Sequence, residues 1–540
     1  MLKDAIKSLS LANLCFIKVW SKLLSSAGSY FNEFPVAYLS IIVNVVVLAA
    51  VFFTCLRLWR RFRGVRIDRV QRFISFLIVL TVVNGIVSLI AAGLPITPSG
   101  AMARNSHLFG GILITGAVAF VFFKWQTRIL NALPGLLMIL SPFVVLTFTQ
   151  SIWKINSRPS MVAYAAERPA EKLEFARKRP ATRVIWIIFD ELDERLAFVD
   201  RPLSVKLPEL DRLRQQSVSA GNAYPPAPLT YMSMPALITG RLVSRVTPVA
   251  SNELLVNFDG DKTASRWSKE PNVFSDARKA GFNTGLAGWC HPYCKVIGSD
   301  LTKCLGVNDD NAESLSLPHS MMIQAEGLVG TAPMIQQIVT PLVQRVGFLN
   351  EFAVGGERRK YIARYKSVLE DAKKFAVDTD LDLILIHSPA PHPPGIYDRR
   401  TGEFSLKGTS SYLDNLALVD RTVGELRRLM EGKGVWDSTV LLISADHWWR
   451  TEMWQRGPFW TAEAAAVATE KMDHRIPFIL KLNGQKEPVV YDQKFNTVLT
   501  HDLLLALLKG EATTSAEVTK WLDDHRSIGD SPYNRDEMLP

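Results

Sequence analysis

Four windows of this chain, roughly Val36–Leu56, Phe73–Ile96, Asn105–Phe123 and Ile129–Trp153, contain no Asp, Glu, Lys or Arg. A helix needs about 20 apolar residues to cross the hydrocarbon core of a bilayer, and each window comes close to that length. One such window suits a buried helix of a soluble protein. Four in close succession point instead to membrane spans. Pro134 and Pro142 fall inside the fourth. They are tolerable there, because neighbouring helices can satisfy the backbone groups that proline frees. Residues 1–153 are therefore expected to form an α-helical membrane domain with four transmembrane helices.

Charge sets the expected orientation. Arg57, Arg60, Arg61, Arg63, Arg66, Arg69 and Arg72 crowd between the first two windows. Lys124 and Arg128 lie between the last two, whereas the middle loop holds only Arg104. Positive loops stay in the cytoplasm, so the chain beyond Trp153 is expected outside it, on a multi-pass protein of the cell (inner) membrane. The first 35 residues leave two readings open. Their amphipathic stretch Leu9–Tyr30, with Lys3, Lys7, Lys18 and Lys22 in or before it, either lies on the membrane surface or makes a fifth crossing. No cleavable leader pattern is present. Residues 1–155 hold 15 Lys/Arg and 3 Asp/Glu, while the rest hold 47 and 49. The net charge of +10 thus belongs to the membrane part. A nucleic-acid enzyme needs a basic face on its catalytic part, so no nucleic-acid partner is expected.

Residues 154–182 are polar and read as a linker, 183–511 as one large domain, and 512–540 as a C-terminal tail. Within the large domain, Val184–Phe189 is an unbroken apolar run of the kind that a strand buried on both faces requires. Leu383–Ile386, Val440–Ile443 and Phe478–Leu480 look similar, with Asn283–Ala287 weaker. Helical patterns over Arg358–Val377, Tyr412–Met430 and Thr497–Leu508 alternate with them. The fold class expected is α/β, a largely parallel central sheet flanked by helices. Ligands of such sheets gather at the carboxyl ends of the strands.

Those ends carry Asp190-Glu191, His387 with His392, and Asp446-His447, and His474 precedes the Phe478 run. Carboxylate with imidazole suits Zn²⁺ or Mn²⁺. The five cysteines put Cys290, Cys294 and Cys304 in the large domain. A disulfide between Cys294 and Cys304 fits an oxidising compartment. The rival is a zinc knuckle with His291, for which no fourth ligand is evident.

In its order of motifs the region 183–508 resembles the alkaline phosphatase superfamily, in its sulfatase-like branch. It is similar in layout to membrane-anchored phosphoethanolamine and phosphoglycerol transferases, including lipoteichoic acid synthase. Val184-Ile-Trp-Ile-Ile-Phe-Asp190-Glu191 resembles the opening strand with its metal-binding acid. Thr230-Tyr-Met-Ser-Met-Pro-Ala-Leu-Ile-Thr-Gly240-Arg241 resembles the nucleophile segment. His387-Ser-Pro-Ala-Pro-His392-Pro-Pro resembles the loop that handles the substrate phosphate, and Ser444-Ala-Asp446-His447 the Asp-His metal motif. The chain departs from the pattern at Trp448-Trp449, where glycine is usual, and at Met234, where sulfatases carry arginine. His501 competes with His474 for the last histidine.

The resemblance implies a phosphotransferase that moves a phosphate-linked headgroup to an envelope lipid or glycan. Thr230 would attack phosphorus, and His392 would hold a phosphate oxygen or protonate the leaving group. Asp190, Thr230, Asp446 and His447 would hold a divalent metal (Mn, Zn, Mg or Ca). His387 and His474 would serve a second metal or the substrate. Hydrolysis of phosphate or sulfate esters is the alternative. Threonine, a secondary alcohol, cannot yield the aldehyde that sulfatases make from cysteine or serine, which favours phosphate. Ser233 is expected to cap a helix beginning at Met234, and Glu191 to stand behind the metal ligands. Trp448 and Trp449 are expected either to stack on a substrate or to pack the core.

Overall fold

The computed structural model describes residues 1–24, 35–61, 119–157, 182–250, 253–306, 347–406, 410–456, 460–469 and 473–526, together with scattered positions between them. Two compact units divide the chain, Met1–Ala163 with Asn311–Gly347, and Tyr164–Asp310 with Phe348–Pro540.

In the first unit, α1 (Leu2–Cys15), α2 (Ile17–Leu24), α3 (Pro35–Arg61), α4 (Gln126–Ile139) and α5 (Ser141–Ser157) pack on one another. They bury an apolar cluster that includes Phe16, Trp20, Tyr38, Ile41 and Val45, with polar side chains beside it. The buried face of α1 is made of Asp4, Ser8, Ser10, Ala12 and Asn13. Thr147 Oγ1 on α5 donates to Asn13 Oδ1 at 3.3 Å, Ser151 Oγ to the Thr147 carbonyl at 2.8 Å, and Asn44 Nδ2 on α3 to Gln324 Oε1 at 3.1 Å. Other large apolar side chains point outward: Ile139 is 75% exposed, Val145 67% and Trp153 64%. Among the described residues one helix, Val36–Leu58, is long and apolar enough to cross a membrane. Gln126–Ile139 with Ser141–Trp153, bent by 42°, makes a second if the pair counts as one span. The second and third windows fall largely outside the described residues.

The second unit is built on a nine-stranded sheet in the order β13-β2-β12-β11-β1-β8-β6-β7, with β14 also on β2. Its strands are β1 (Arg183–Phe189), β2 (Val218–Tyr224), β6 (Thr284–Gly288), β7 (Lys303–Gly306), β8 (Leu383–Ser388), β11 (Thr439–Ala445), β12 (Ile476–Lys481), β13 (Val489–Tyr491) and β14 (Phe495–Asn496). β3 (Val243–Ala250), β4 (Glu253–Phe258) and β5 (Ser265–Arg266) form a small side sheet, and β9 (Tyr397–Asp398) pairs with β10 (Glu403–Phe404). The central sheet is mixed: β1, β6, β7, β8 and β11 run parallel, while β12 is antiparallel to both β11 and β2. Helices at Gly347–Ala376 and Tyr412–Gly432 supply apolar partners for the inner strands. Arg183 ties one of them to the sheet: Nη2 donates to the carbonyls of Phe375 and Ala376, at the helix end where the backbone dipole favours a cation. The stretch after Glu511 carries a helix, Ser515–His525, that buries Val518 and Leu522.

Candidate active site

β1, β8 and β11 are neighbours running parallel, so their carboxyl ends open on one edge of the sheet. Asp190 follows β1, His387 sits near the end of β8, and Asp446-His447 follow β11. Thr230 is the first residue of the helix Thr230–Thr239, whose N-terminal dipole favours a developing oxyanion. Thr230 Oγ1 lies 3.2 Å from His447 Nε2 and 3.5 Å from Asp190 Oδ2. His447 Nε2 lies 3.5 Å from Asp190 Oδ1 and 3.3 Å from Asp446 Oδ2. His387 Nε2 lies 3.9 Å from Asp190 Oδ2.

Each group is aimed by a partner behind it. His447 Nδ1 is held by the Trp448 carbonyl at 3.0 Å, so the donor sits there and the Nε2 lone pair faces the cluster. Tyr293 Oη holds His387 Nδ1 at 2.8 Å. Asp446 Oδ1 accepts the backbone N–H groups of Glu191 and His447. His291 Nε2 holds the Thr230 carbonyl at 3.1 Å. The His392 loop hangs on Asn415, whose Nδ2 donates to the carbonyls of Pro391, His392 and Pro394. A Cβ on Gly395 in that loop would meet the Ser410 carbonyl oxygen at 2.1 Å, so only glycine fits there.

Asp190, His387, Asp446 and His447 are fully buried. Burial, then the charges of Asp446 and Glu191, push the Asp190 carboxyl well above the usual range. Burial raises Asp446 to about 6 and holds His387 and His447 well below an ordinary imidazole. Among the described residues, Asp190 Oδ1, Asp446 Oδ2 and His387 Nε2 have no hydrogen-bond partner. One ligand atom from each of these three residues lies within 4.8 Å of the others. Buried carboxylates facing each other with unspent lone pairs fit a divalent cation, which would neutralise them. The set expected from the sequence is thus together, with His387 joining from β8.

His392 is half-buried, and desolvation followed by the charge of Arg450 brings it down to about 3. Its Nδ1 meets the Pro393 carbonyl at 2.7 Å and Tyr361 Oη at 3.2 Å. The neutral ring therefore presents a lone pair at Nε2 and accepts a proton before it can donate one. His474 stacks on Trp448 at 4.0 Å. His501 lies on another helix, against Asp502 and Asp276.

One expectation is corrected and two alternatives are resolved. Ser233 is not a cap: the helix starts at Thr230, and Ser233 is buried inside it, its hydroxyl without a hydrogen-bond partner among the described residues. Trp448 and Trp449 are 5% and 3% exposed. Trp449 stacks on Tyr412 at 4.8 Å, so both indoles pack the core rather than offer a face to substrate. The zinc knuckle loses all its ligands but Cys290. Cys294 is bonded to Cys304, with Cα atoms 5.6 Å apart, and His291 Nε2 is spent on Thr230. Sequence reasoning missed Tyr293, Asn415 and Arg450, and gave His291 another role. Asn415 alone carried a signal, as a polar residue on an apolar helix face between Leu413 and Leu416.

Residues 195–452, slightly under half of the chain, match the model of the type I phosphodiesterase / nucleotide pyrophosphatase family. No curated protein matches. Similar solved structures include Ps i-CgsB in complex with k-i-k-neocarrahexaose (16% identity, 65% of this chain and 77% of that one, TM-score 0.40). A sulfatase from Pseudoalteromonas sp. is similar at 18% identity, over 65% of this chain and 72% of that one, with a TM-score of 0.39. Phosphonate monoester hydrolase of Agrobacterium radiobacter is similar at 13% identity, over 61% and 74%, with a TM-score of 0.36. The resemblance to the alkaline phosphatase superfamily holds at that level. The narrower likeness to lipoteichoic acid synthase finds no support among these matches.

Proposed function

We propose that this chain, whose residues 195–452 carry a domain of the alkaline phosphatase superfamily, is a membrane-held, metal-dependent enzyme that breaks a phosphodiester through Thr230. The phosphate-bearing headgroup passes to a hydroxyl of an envelope lipid or glycan. The observation that carries this reading is Thr230 Oγ1 at a helix N-terminus, 3.2 Å from His447 Nε2 and 3.5 Å from Asp190 Oδ2.

Asp190, Asp446, His447 and Thr230, with His387 alongside, would hold the divalent metal, whose chemistry is to neutralise phosphate charge and make the hydroxyl acidic. Thr230 Oγ1 attacks phosphorus, and its proton leaves towards the Asp190 carboxylate. The bond from phosphorus to the first alcohol breaks, that oxygen departs with the proton taken up at Asp190, and the headgroup phosphate stays on Thr230. In the second half, neutral His392 takes the proton of the incoming hydroxyl. That oxygen bonds to phosphorus, the bond from phosphorus to Thr230 breaks, and the proton from His392 goes to Thr230 Oγ1.

The apolar outer surface of the helical unit supports a bilayer home. Polar side chains meet at some helix contacts while Ile139, Val145 and Trp153 face outward. The arginine-rich stretch Arg57–Arg72 supports an extracytoplasmic catalytic domain. An enzyme so placed meets lipid-borne donors and acceptors. Hydrolysis, with water as acceptor, is the second reading, favoured by the phosphodiesterase description of the matching family.

The test is full-length protein in lipid nanodiscs with Mn²⁺, offered a chromogenic phosphodiester, a phosphomonoester and a sulfate ester. Phosphodiester turnover and a phosphorylated Thr230 peptide after rapid quench are expected, both lost in Thr230→Ala. Turnover of the sulfate ester alone, or full activity in Thr230→Ala, overturns the reading. Lipid products distinguish transfer from release to water.

A further inference from the structure

Helix Thr230–Thr239 brings no cation to the site: Met234, where sulfatases carry arginine, is fully buried in the core. A phosphodiester nonetheless presents anionic oxygens beside Thr230. Arg450 arrives from another direction. It stands three residues beyond His447, in the loop after β11, and Nε donates to Glu191 Oε1 at 2.7 Å. Glu191 immediately follows Asp190, on the neighbouring strand end.

Glu191 has no freedom to move. Its Oε2 accepts the Trp454 indole N–H at 2.9 Å, its carbonyl accepts Tyr412 Oη at 2.8 Å, and its N–H donates to Asp446 Oδ1 at 3.2 Å. Its backbone is left-handed, φ 69°. That turn aims the Asp190 carboxylate into the cluster and the Glu191 carboxylate at Arg450. One edge of the guanidinium is thereby fixed. The other is unspent: among the described residues Nη1 and Nη2 make no hydrogen bond, and the side chain retains 14% exposure. Glu191 also joins it to the cluster, since this residue follows Asp190 directly and its N–H holds Asp446 Oδ1.

We propose that Arg450 is a catalytic residue that binds the non-bridging oxygens of the substrate's tetrahedral oxyanion through Nη1 and Nη2, with Glu191 and Trp454 as positioning residues. A guanidinium held at Nε presents two parallel donors, a fork that matches a phosphate edge and that lysine cannot reproduce. The proposal rests on the phosphoester reading.

The experiment measures inorganic phosphate affinity by calorimetry on the metal-loaded full chain, alongside KM and kcat for the phosphodiester. Arg450→Lys keeps the charge and removes the fork. The paired variant Arg450→Gln/Glu191→Gln removes the guanidinium without stranding a buried carboxylate. Both are expected to keep wild-type metal content, and the paired variant its thermal midpoint. Phosphate affinity should fall at least ~10-fold in each and kcat/KM about 10²-fold. Glu191→Gln alone should fall between, because it loosens Arg450 without removing it. Unchanged phosphate affinity in Arg450→Lys overturns the proposal, and that variant decides the matter if the pair does not fold. Failure of the wild type to cleave any phosphodiester would sink the reading of the site, while the phosphate titration would still test Arg450.

Discussion

Each unit buries an apolar cluster, but they differ in where polar groups are buried and in what faces outward. In the helical unit Asn13 and Ser151 are fully buried, while Ile139 and Val145 are 75% and 67% exposed. In the catalytic unit all of β1 is buried in an apolar core. Its buried charged and imidazole groups that form the site lie at strand ends. Under the proposed bilayer setting of the helical unit, both patterns would follow from one rule applied in two solvents. In water, apolar side chains gain by leaving the solvent. In hydrocarbon they gain nothing, so polar groups turn to one another and apolar ones face lipid. The catalytic unit can then hold ionisable groups inside only where something compensates them.

The sharpest way to break this contrast is at the site. Asp446→Ala deletes a carboxylate from a cluster that has no other use for it. Metal content and turnover should fall together, turnover by about 10³-fold or more, with the helical unit untouched. Metal retained in full, measured by elemental analysis, would detach the cluster from metal binding.

Acidity separates the units next. Glu194 is buried, and burial raises it from 4.5 to about 8 against the pull of Arg214 and Arg475. The folded state therefore holds a proton that the unfolded chain loses. Its stabilisation is complete below about 4.5 and is lost as pH rises through about 8. Asn13, Thr147 and Ser151 have no such proton to lose. Thermal midpoints between pH 5 and 9 should decline in the wild type and decline less in Glu194→Gln.

A single lysine tests the solvent of each surface. Val47 is 51% exposed in the middle of α3, and Val490 is 63% exposed on β13. Val47→Lys should cost about 3 kcal/mol if that face meets hydrocarbon, seen as reduced membrane integration. Val490→Lys should change stability by less than about 0.5 kcal/mol. Equal, small effects would mean that the outward face of α3 meets water.

A smaller effect than at Val47 belongs to the catalytic unit's backbone. Gly240 ends the Thr230 helix at φ 68°, and a Cβ there would meet the His501 ring at 2.8 Å. Gly240→Ala should cost on the order of 2 kcal/mol in chemical denaturation, with metal content unchanged. This also gives His501 a structural place, beneath the turn that closes the nucleophile helix.

The strands and the site residues they carry were legible because each depends on a local pattern. Val184–Phe189, Leu383–Ile386 and Val440–Ile443 are apolar runs that end at Asp190, His387 and Asp446-His447. The start of the Thr230 helix was misread at Ser233. Residues Thr230–Ser233 hold no apolar run or proline to mark its first turn, and tertiary packing set it. Trp448 and Trp449 were undecidable in sequence, since an indole suits a core or a ligand equally. The buried stacks on His474 and Tyr412 settled it.

What the amino-acid order determined alone is what depends on near neighbours: the uncharged windows, the strand runs, the helix periods and the acids and histidines that follow strands. Tertiary structure alone decided which groups stand behind the site. Tyr293 reaches His387 across 94 residues, Asn415 holds the His392 carbonyl across 23, and Trp454 meets Glu191 across 263. Such pairs leave no periodic trace, because a hydrogen bond made across the fold constrains two residues and nothing between them. The reversal of β12 and the turn of Glu191 toward Arg450 are of the same kind, set by packing and by which buried charge needs a partner.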